Sequence, residues 1–201
     1  MEATVTSGTR RILRFLLDLG TLPVAAGTVV ALNAVYIGLV ALGNITDYDT
    51  NEAFVRHVLA MDTTNFGGKP GEHLDPDVMW RAMTSRASQT AGYIGIIVWE
   101  CLTATVLGVA TGAWLVARRR RSFDAARRLS TLGLLMLLAL FMGGFITVGG
   151  EWFQMWRSVA WNGIEPAFRN SVLAALGLVL CHLPSPDWGG SASTIPVEHR
   201  L

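Results

Sequence analysis

Residues 91–121 read AGYIGIIVWECLTATVLGVATGAWLVARRRR, and this stretch decides the fold. From Ala91 to Ala117 it is apolar throughout, with Glu100 as its one charged residue. About 20 apolar residues suffice to cross about 30 Å of hydrocarbon. The run is therefore a membrane span with length to spare, and it is expected to tilt or protrude. Four arginines, Arg118, Arg119, Arg120 and Arg121, close it. Such a cluster can attract nucleic acid or anionic lipid. Abutting a span, it reads as a topology signal that marks the cytoplasmic side.

Three more runs extend this reading. Expected spans cover about 19–42, 91–117, 131–148 and 167–183. The first follows Arg10, Arg11 and Arg14 and is longer than the core of a secretory signal peptide, which is about 7–15 residues. It reads as an uncleaved anchor. The fourth is weaker, because it spans the membrane only if Arg169 snorkels to the interface. The 118–128 loop holds six arginines, while the 44–90 segment carries seven acids against four bases. Positive charge inside then places both termini in the cytoplasm of an inner-membrane protein.

Composition agrees. Of 201 residues, 51% are hydrophobic and 15% charged, against roughly 25% charged in a soluble domain. Mean hydropathy is +0.41. Two cysteines exclude a disulfide scaffold, and a net charge of +1 offers no field for nucleic acid. The expected fold is all-α, a polytopic membrane protein in which a four-transmembrane-helix bundle carries a small helical extracytoplasmic cap. Residues 1–183 form one membrane domain, 44–90 the cap, and 184–201 a flexible cytoplasmic tail.

Within the cap, Asn51 to Met61 has the periodicity of a short amphipathic helix. Asp75-Pro76 reads as the start of a second helix, carrying Met79, Trp80 and Met83 toward span two. Gly149 to Pro166 is dense in aromatics, with Trp152, Trp156 and Trp161 within ten residues. Trp152 and Trp156, four apart, are placed on one helical face. Tryptophan anchors membrane interfaces, but this density also suits a surface for a partner helix or a lipid. Met79-Trp80-Arg81-Ala82 is echoed by Met155-Trp156-Arg157-Ser158. Duplication of a hairpin would produce that echo, and so would chance.

Glu100 is the residue that asks most for an explanation, since an ionisable group inside a span is costly unless it faces protein or water. An interhelical hydrogen bond or a functional site would each account for it. Glu151 is expected at a similar depth, with Arg157, Arg169 and Asn162 on the same side. Together they would make an outer polar cluster under a tryptophan lid, closed by bidentate arginine–carboxylate pairs or open to a small ion or head group. For helix packing, Gly108 and Gly112 form a GxxxG pair, and Gly143 and Gly144 give span three a small face. Internal packing is the plainer use of these glycines and homodimerisation the other. No phosphate loop, H-E-x-x-H or G-x-S-x-G occurs. His57, with Asp62 nearby, lacks metal-site spacing. The sequence calls for no cofactor and no metal.

Val58-Leu59-Ala60-Met61-Asp62-Thr63-Thr64, Met79-Trp80-Arg81-Ala82, Gly150-Glu151-Trp152-Phe153 with Trp156, and Trp161-Asn162-Gly163 together resemble a bacterial family of predicted small integral membrane proteins of unknown function. The resemblance runs over roughly residues 10–183. It implies a four-helix integral membrane protein whose characteristic residues lie mainly on the outer face. It supplies no activity and no catalytic residue.

Three functions follow from these observations. The first is a non-enzymatic accessory or scaffold subunit of a larger membrane complex, suggested by small size, packing glycines and an aromatic outer surface. The second is a small transporter or ion-binding protein that uses Glu100 and the outer cluster. The third is a lipid- or quinone-binding membrane protein. The bilayer is the implied partner in all three, with a membrane protein or a second copy of the chain beside it.

Overall fold

The computed structural model describes residues 7–120 and 122–188. Four of its helices are long and apolar enough to cross a membrane, and no strand occurs among the described residues. A short helix α1, Ser7–Leu19, precedes them. It breaks at Gly20, and α2 runs from Leu22 to Thr46 with Pro23 in its first turn, where a missing N–H costs nothing. The first span thus starts at a proline-marked boundary inside the expected 19–42 run. On α1, Ile12, Leu13, Leu16 and Leu17 stand exposed, as on a helix lying in the membrane interface.

Helix α3, Tyr48–Ala60, folds back against α2 and α4. It stops at Met61, whose backbone is left-handed (φ 54°). Helix α4 is the longest, Arg86–Arg120, and ends in Arg118, Arg119 and Arg120, which face the negative end of its own dipole. Arg121 lies outside the described residues. Helix α5 starts at Asp124 and is α-helical to Leu138. From Ala139 to Trp152 the same rod winds as a π-helix, a form that is rare and usually confined to single turns. Thr147 follows the wider pitch, its hydroxyl donating to the Met142 carbonyl five residues back (2.9 Å). Helix α6, Ile164–His182, completes the set, so the fourth span is a continuous 19-residue helix.

The inside and outside of this bundle are equally apolar. Ala26, Val30, Ile37, Leu107, Ala110, Leu134, Leu137 and Ala174 fill its centre. Leu32, Leu39, Val109, Leu132, Leu173 and Leu176 point outward. A helix that is hydrophobic all round belongs in lipid. Lipid is as apolar as leucine, so close fit rather than hydrophobic burial holds the spans together. The glycines that supply this fit differ from the expected ones. A Cβ at Gly108, Gly112 or Gly143 would meet nothing, and one at Gly144 would meet only the carbonyl of Ala139 on its own helix. The GxxxG pair therefore lies off the internal contacts. Leu107 instead sits over Gly133, and Leu134 with Val29 over Gly177.

Two further expectations are corrected. Asp75-Pro76 does not start a helix that runs into α4. Its carboxylate accepts from the Asp77 N–H (3.1 Å), a local bond that suits a turn as well as a helix. Only a 3-10 turn, Met79–Arg81, follows, and the Met83 N–H is drawn off to the Leu59 carbonyl (2.8 Å). The tail also begins by docking. Pro186–Trp188 forms a 3-10 turn that buries Trp188, with Trp114 and Phe123 each 5.9 Å from it, centre to centre. Residues 189–201 lie outside the described residues.

Candidate functional site

Glu100 is 3% exposed and is held by neighbours from two other helices. Asn44, near the end of α2, donates from Nδ2 to Glu100 Oε2 at 2.7 Å. Asn51 on α3 donates from Nδ2 to Asn44 Oδ1 at 2.6 Å. The Tyr93 hydroxyl, two turns from Glu100 on the same face of α4, donates to the Asn44 carbonyl at 3.4 Å. Glu100 lies 18 residues before Arg118, which is about 27 Å along a helix. The network thus sits close to the far edge of a hydrocarbon layer whose near edge is the arginine run. Just beside it, the Trp99 indole donates to the Met136 carbonyl (3.0 Å), ahead of the π-helical segment.

The expected polar cluster does not assemble around Glu100. Leu107 and Gly133 share a level in the bundle. Glu100 is seven residues beyond Leu107 and Glu151 is 18 beyond Gly133, so Glu151 stands farther out, at the cap. There it is exposed and pairs with no cation among the described residues. Arg169 pairs with Glu165 one turn away on α6 (3.5 Å), both side chains exposed, a contact worth about 0.5 kcal/mol at most. The Asn162 side chain accepts the Ile164 N–H (3.1 Å) and so organises the start of α6. Neither the depth of Glu151 nor the direction in which each side chain leaves its helix could be read from hydropathy.

The cap brings together a different set. The two Met-Trp-Arg segments adopt the same conformation, 3-10 turns over Met79–Arg81 and Met155–Arg157. Each is followed by an extended residue, Ala82 or Ser158. Helix α5 ends at Trp152, and Gln154 is left-handed (φ 52°). Trp152 and Trp156 therefore do not share a helical face. Trp152 meets Trp80 edge to face, ring centres 5.5 Å apart, and Trp156 meets Phe66 in the same way at 5.9 Å.

An arginine sits against each aromatic pair. The Arg81 guanidinium lies 5.4 Å from the Trp80 ring and 5.2 Å from Trp152, and donates to the Trp152 carbonyl at 3.4 Å. The Arg157 guanidinium lies 5.2 Å from Phe66 and 6.0 Å from Trp156. It donates to Asp75 Oδ2 (3.1 Å) and Gln154 Oε1 (2.8 Å). The Asp77 N–H and then Arg157 hold the Asp75 carboxyl below its ordinary value of 3.8. Beneath this rim, Trp161 stacks on His57 (4.7 Å between ring centres). Both oxygens of Asp62 lie within 3.0 Å of His57 Nδ1. Val58, Met61, Phe153 and Met155 make a small cap core. The rim itself is open: Trp80 is 70% exposed, Phe66 63% and Trp156 47%.

Asn44, Asn51, Phe66, Asp75, Trp80 and Arg81 are participants that sequence reading passed over as site residues, the last two having been noted for the repeated Met-Trp-Arg. Asn44 lay just beyond the expected end of span one, where an amide looks like ordinary interface polarity. Phe66 stands just before Gly67 and Gly68 and gave no periodic signal. Cys101 and Cys181 are both free. Among the described residues no group of three His, Cys, Asp or Glu side chains is placed to hold a metal ion.

A family model described as a predicted small integral membrane protein (DUF2165) covers residues 23–184. No curated protein and no solved structure matches the chain.

Proposed function

The chain belongs to the family of predicted small integral membrane proteins, and on that premise we propose that it is a non-enzymatic accessory or scaffold subunit whose cap docks a larger membrane complex. The observation that carries this reading is the rim: Trp80, Trp152, Phe66 and Trp156, open to the outside yet fixed by Arg81 and Arg157. Tryptophan and arginine dominate the few residues that carry binding energy at interfaces. Rings already locked in place lose little entropy when a partner covers them. Trp80, Phe66 and Trp156 also belong to cap turns rather than to spans.

The network at Glu100 favours the same reading over transport. Its carboxyl is buried and held by Asn44, which in turn is held by Asn51. Such a closed chain fixes α2, α3 and α4 relative to one another. A conducting path would need further free polar groups through the bilayer, and the buried hydroxyls of Thr103, Ser130 and Ser171 are each spent on a carbonyl of their own helix. We assign the arginine end to the cytoplasm and the acidic cap to the opposite side, following the distribution of arginine.

Extraction from native membranes in mild detergent tests the proposal. The expected result is a complex in which the chain accompanies another membrane protein at fixed stoichiometry. Trp80→Ala with Trp156→Ala should release it while helix content is unchanged. A particle at the chain's own 21.7 kDa, or at a multiple of it with no other protein, would overturn the accessory reading.

A further inference from the structure

At the arginine end, opposite the cap, a groove of about 560 Å³ opens between α2 and α4, within the range of small-ligand sites. Its floor is made by small residues on α2 and one large residue on α4. Gly27 lets the Trp114 ring lie against α2, since a Cβ there would meet that ring at 3.3 Å. Ala31 continues the hollow toward the bilayer centre. The floor is rigid: the Trp114 indole donates to Ser130 Oγ at 2.9 Å, and Phe123 and Trp188 pack against its ring at 5.4 and 5.9 Å.

The mouth is charged, and its charges are mixed. Arg118 from α4, Asp18 from α1 and Asp187 from the docked tail all line it, and all three are exposed. Arg118 marks the edge of the hydrocarbon. An apolar trough that begins there and deepens along α2 matches an acyl chain hanging from a head group. A phosphodiester suits an arginine. Two carboxylates beside it disfavour a head group that is only anionic, and call for a cation within a few ångströms of the phosphate. A primary ammonium brings three N–H donors to those carboxylates, whereas a quaternary ammonium brings none.

We propose that this groove is a binding site for a phospholipid with a primary-amine, zwitterionic head group: phosphate at Arg118, ammonium at Asp18 and Asp187, and the start of one acyl chain over Gly27 and Ala31. The site differs from simple attraction of anionic lipid to the arginine run, which would rank lipids by net negative charge.

The two rankings are separable. The full-length protein is reconstituted in nanodiscs of equimolar phosphatidylethanolamine, phosphatidylcholine and phosphatidylglycerol with identical acyl chains. It is then released into mild detergent, and retained lipid is read by native mass spectrometry. Phosphatidylethanolamine is expected to be retained about tenfold over phosphatidylcholine, the factor that one hydrogen bond to a charged group supplies. Asp18→Asn with Asp187→Asn, both at exposed positions, should erase that preference without loss of helix content. Thr28→Trp, which fills the trough from an exposed lining position, should lower retention of all three lipids. Equal retention in the unaltered protein, preference for phosphatidylglycerol, or a phosphatidylethanolamine preference that survives the double substitution would each overturn the proposal.

Discussion

Removing the amide of Asn44 tests what Glu100 is for. Asn44 is 5% exposed and Glu100 3%, and the 2.7 Å bond between them joins α2 to α4. Interhelical hydrogen bonds in membranes average about 0.6 kcal/mol, with about 1.7 at the top of the range. Bonds to charged groups in water-soluble proteins give about 1.5–3. A carboxyl acceptor that loses its donor while buried belongs near the overlap, so Asn44→Ala is expected to cost about 1.5 kcal/mol. Asn51 adds little to that figure, because it is exposed and its freed amide turns to water. Glu100→Gln keeps an oxygen to accept from Asn44 and should cost less than about 1 kcal/mol. Replacing both partners, Asn44→Leu with Glu100→Leu, should cost less than the sum of Asn44→Leu and Glu100→Leu made singly, since the double change leaves neither partner orphaned. The expected coupling is about 1.5 kcal/mol. Unfolding of the purified protein in mixed micelles of rising denaturing-detergent fraction, followed by circular dichroism, gives all four corners of this cycle. A coupling below about 0.5 kcal/mol, or a Glu100→Gln variant as unstable as Asn44→Ala, would refute the structural reading of this pair.

Gly133→Ala should destabilise the bundle, because the new methyl meets the buried Leu107 side chain; overpacking costs about 1–3 kcal/mol, offset by up to about 1 from helix propensity. Gly108→Ala meets nothing and should leave the same detergent melting point unchanged or raise it; the reverse order would restore the GxxxG pair as the internal contact. Trp188→Ala removes a buried ring from the aromatic cluster at the arginine end, and should cost about 3 kcal/mol in the same unfolding assay. Asp75 has a lowered pKa in the folded protein, so its contribution is present above 3.8 and fades as pH falls through the lower folded value. An acid titration of tryptophan fluorescence should show a step below pH 3.8 that Asp75→Asn abolishes.

The spans were legible because hydropathy summed over 18 or more residues outweighs every local preference, and a membrane leaves helices as the available solution for such runs. Helix α3 was legible for the same kind of reason, through the period of Phe54, Val55 and Val58. Shorter-range signals failed where two structures share them. Asp75 accepts the Asp77 N–H whether or not a helix follows. The pair Gly108 and Gly112 has the spacing of a contact, but only the packing of α4 against α2 and α5 decides which of its faces is inside. Leu107, one residue from Gly108, is the inside residue, and its target Gly133 sits alone with no motif around it. Likewise Glu100 was singled out by its cost, while its partner Asn44 was hidden because an amide near a span end costs little.

The echo between Met79-Trp80-Arg81 and Met155-Trp156-Arg157 was too short to choose between duplication and chance, and the structure gives it a physical role. The two turns close the two hairpins, α2 with α4 and α5 with α6, at the cap end. Each arginine reaches across to the other hairpin: Arg81 to the Trp152 carbonyl at the end of α5, Arg157 to Asp75 in the loop before α4. The Phe66 N–H adds a bond to the Arg157 carbonyl at 3.0 Å. The hairpins are thus fastened to each other at the cap by polar contacts, while within the membrane they meet through fit and a few single bonds, such as those from the Trp99 and Trp114 indoles of α4 to α5. Fastening of this kind fixes the four exposed rings in one arrangement. Arg81→Ala and Arg157→Ala should therefore loosen the rim without separating the spans, so that a partner is lost before the fold is. A partner that stays bound to the double variant would mean that some surface other than the rim carries the docking.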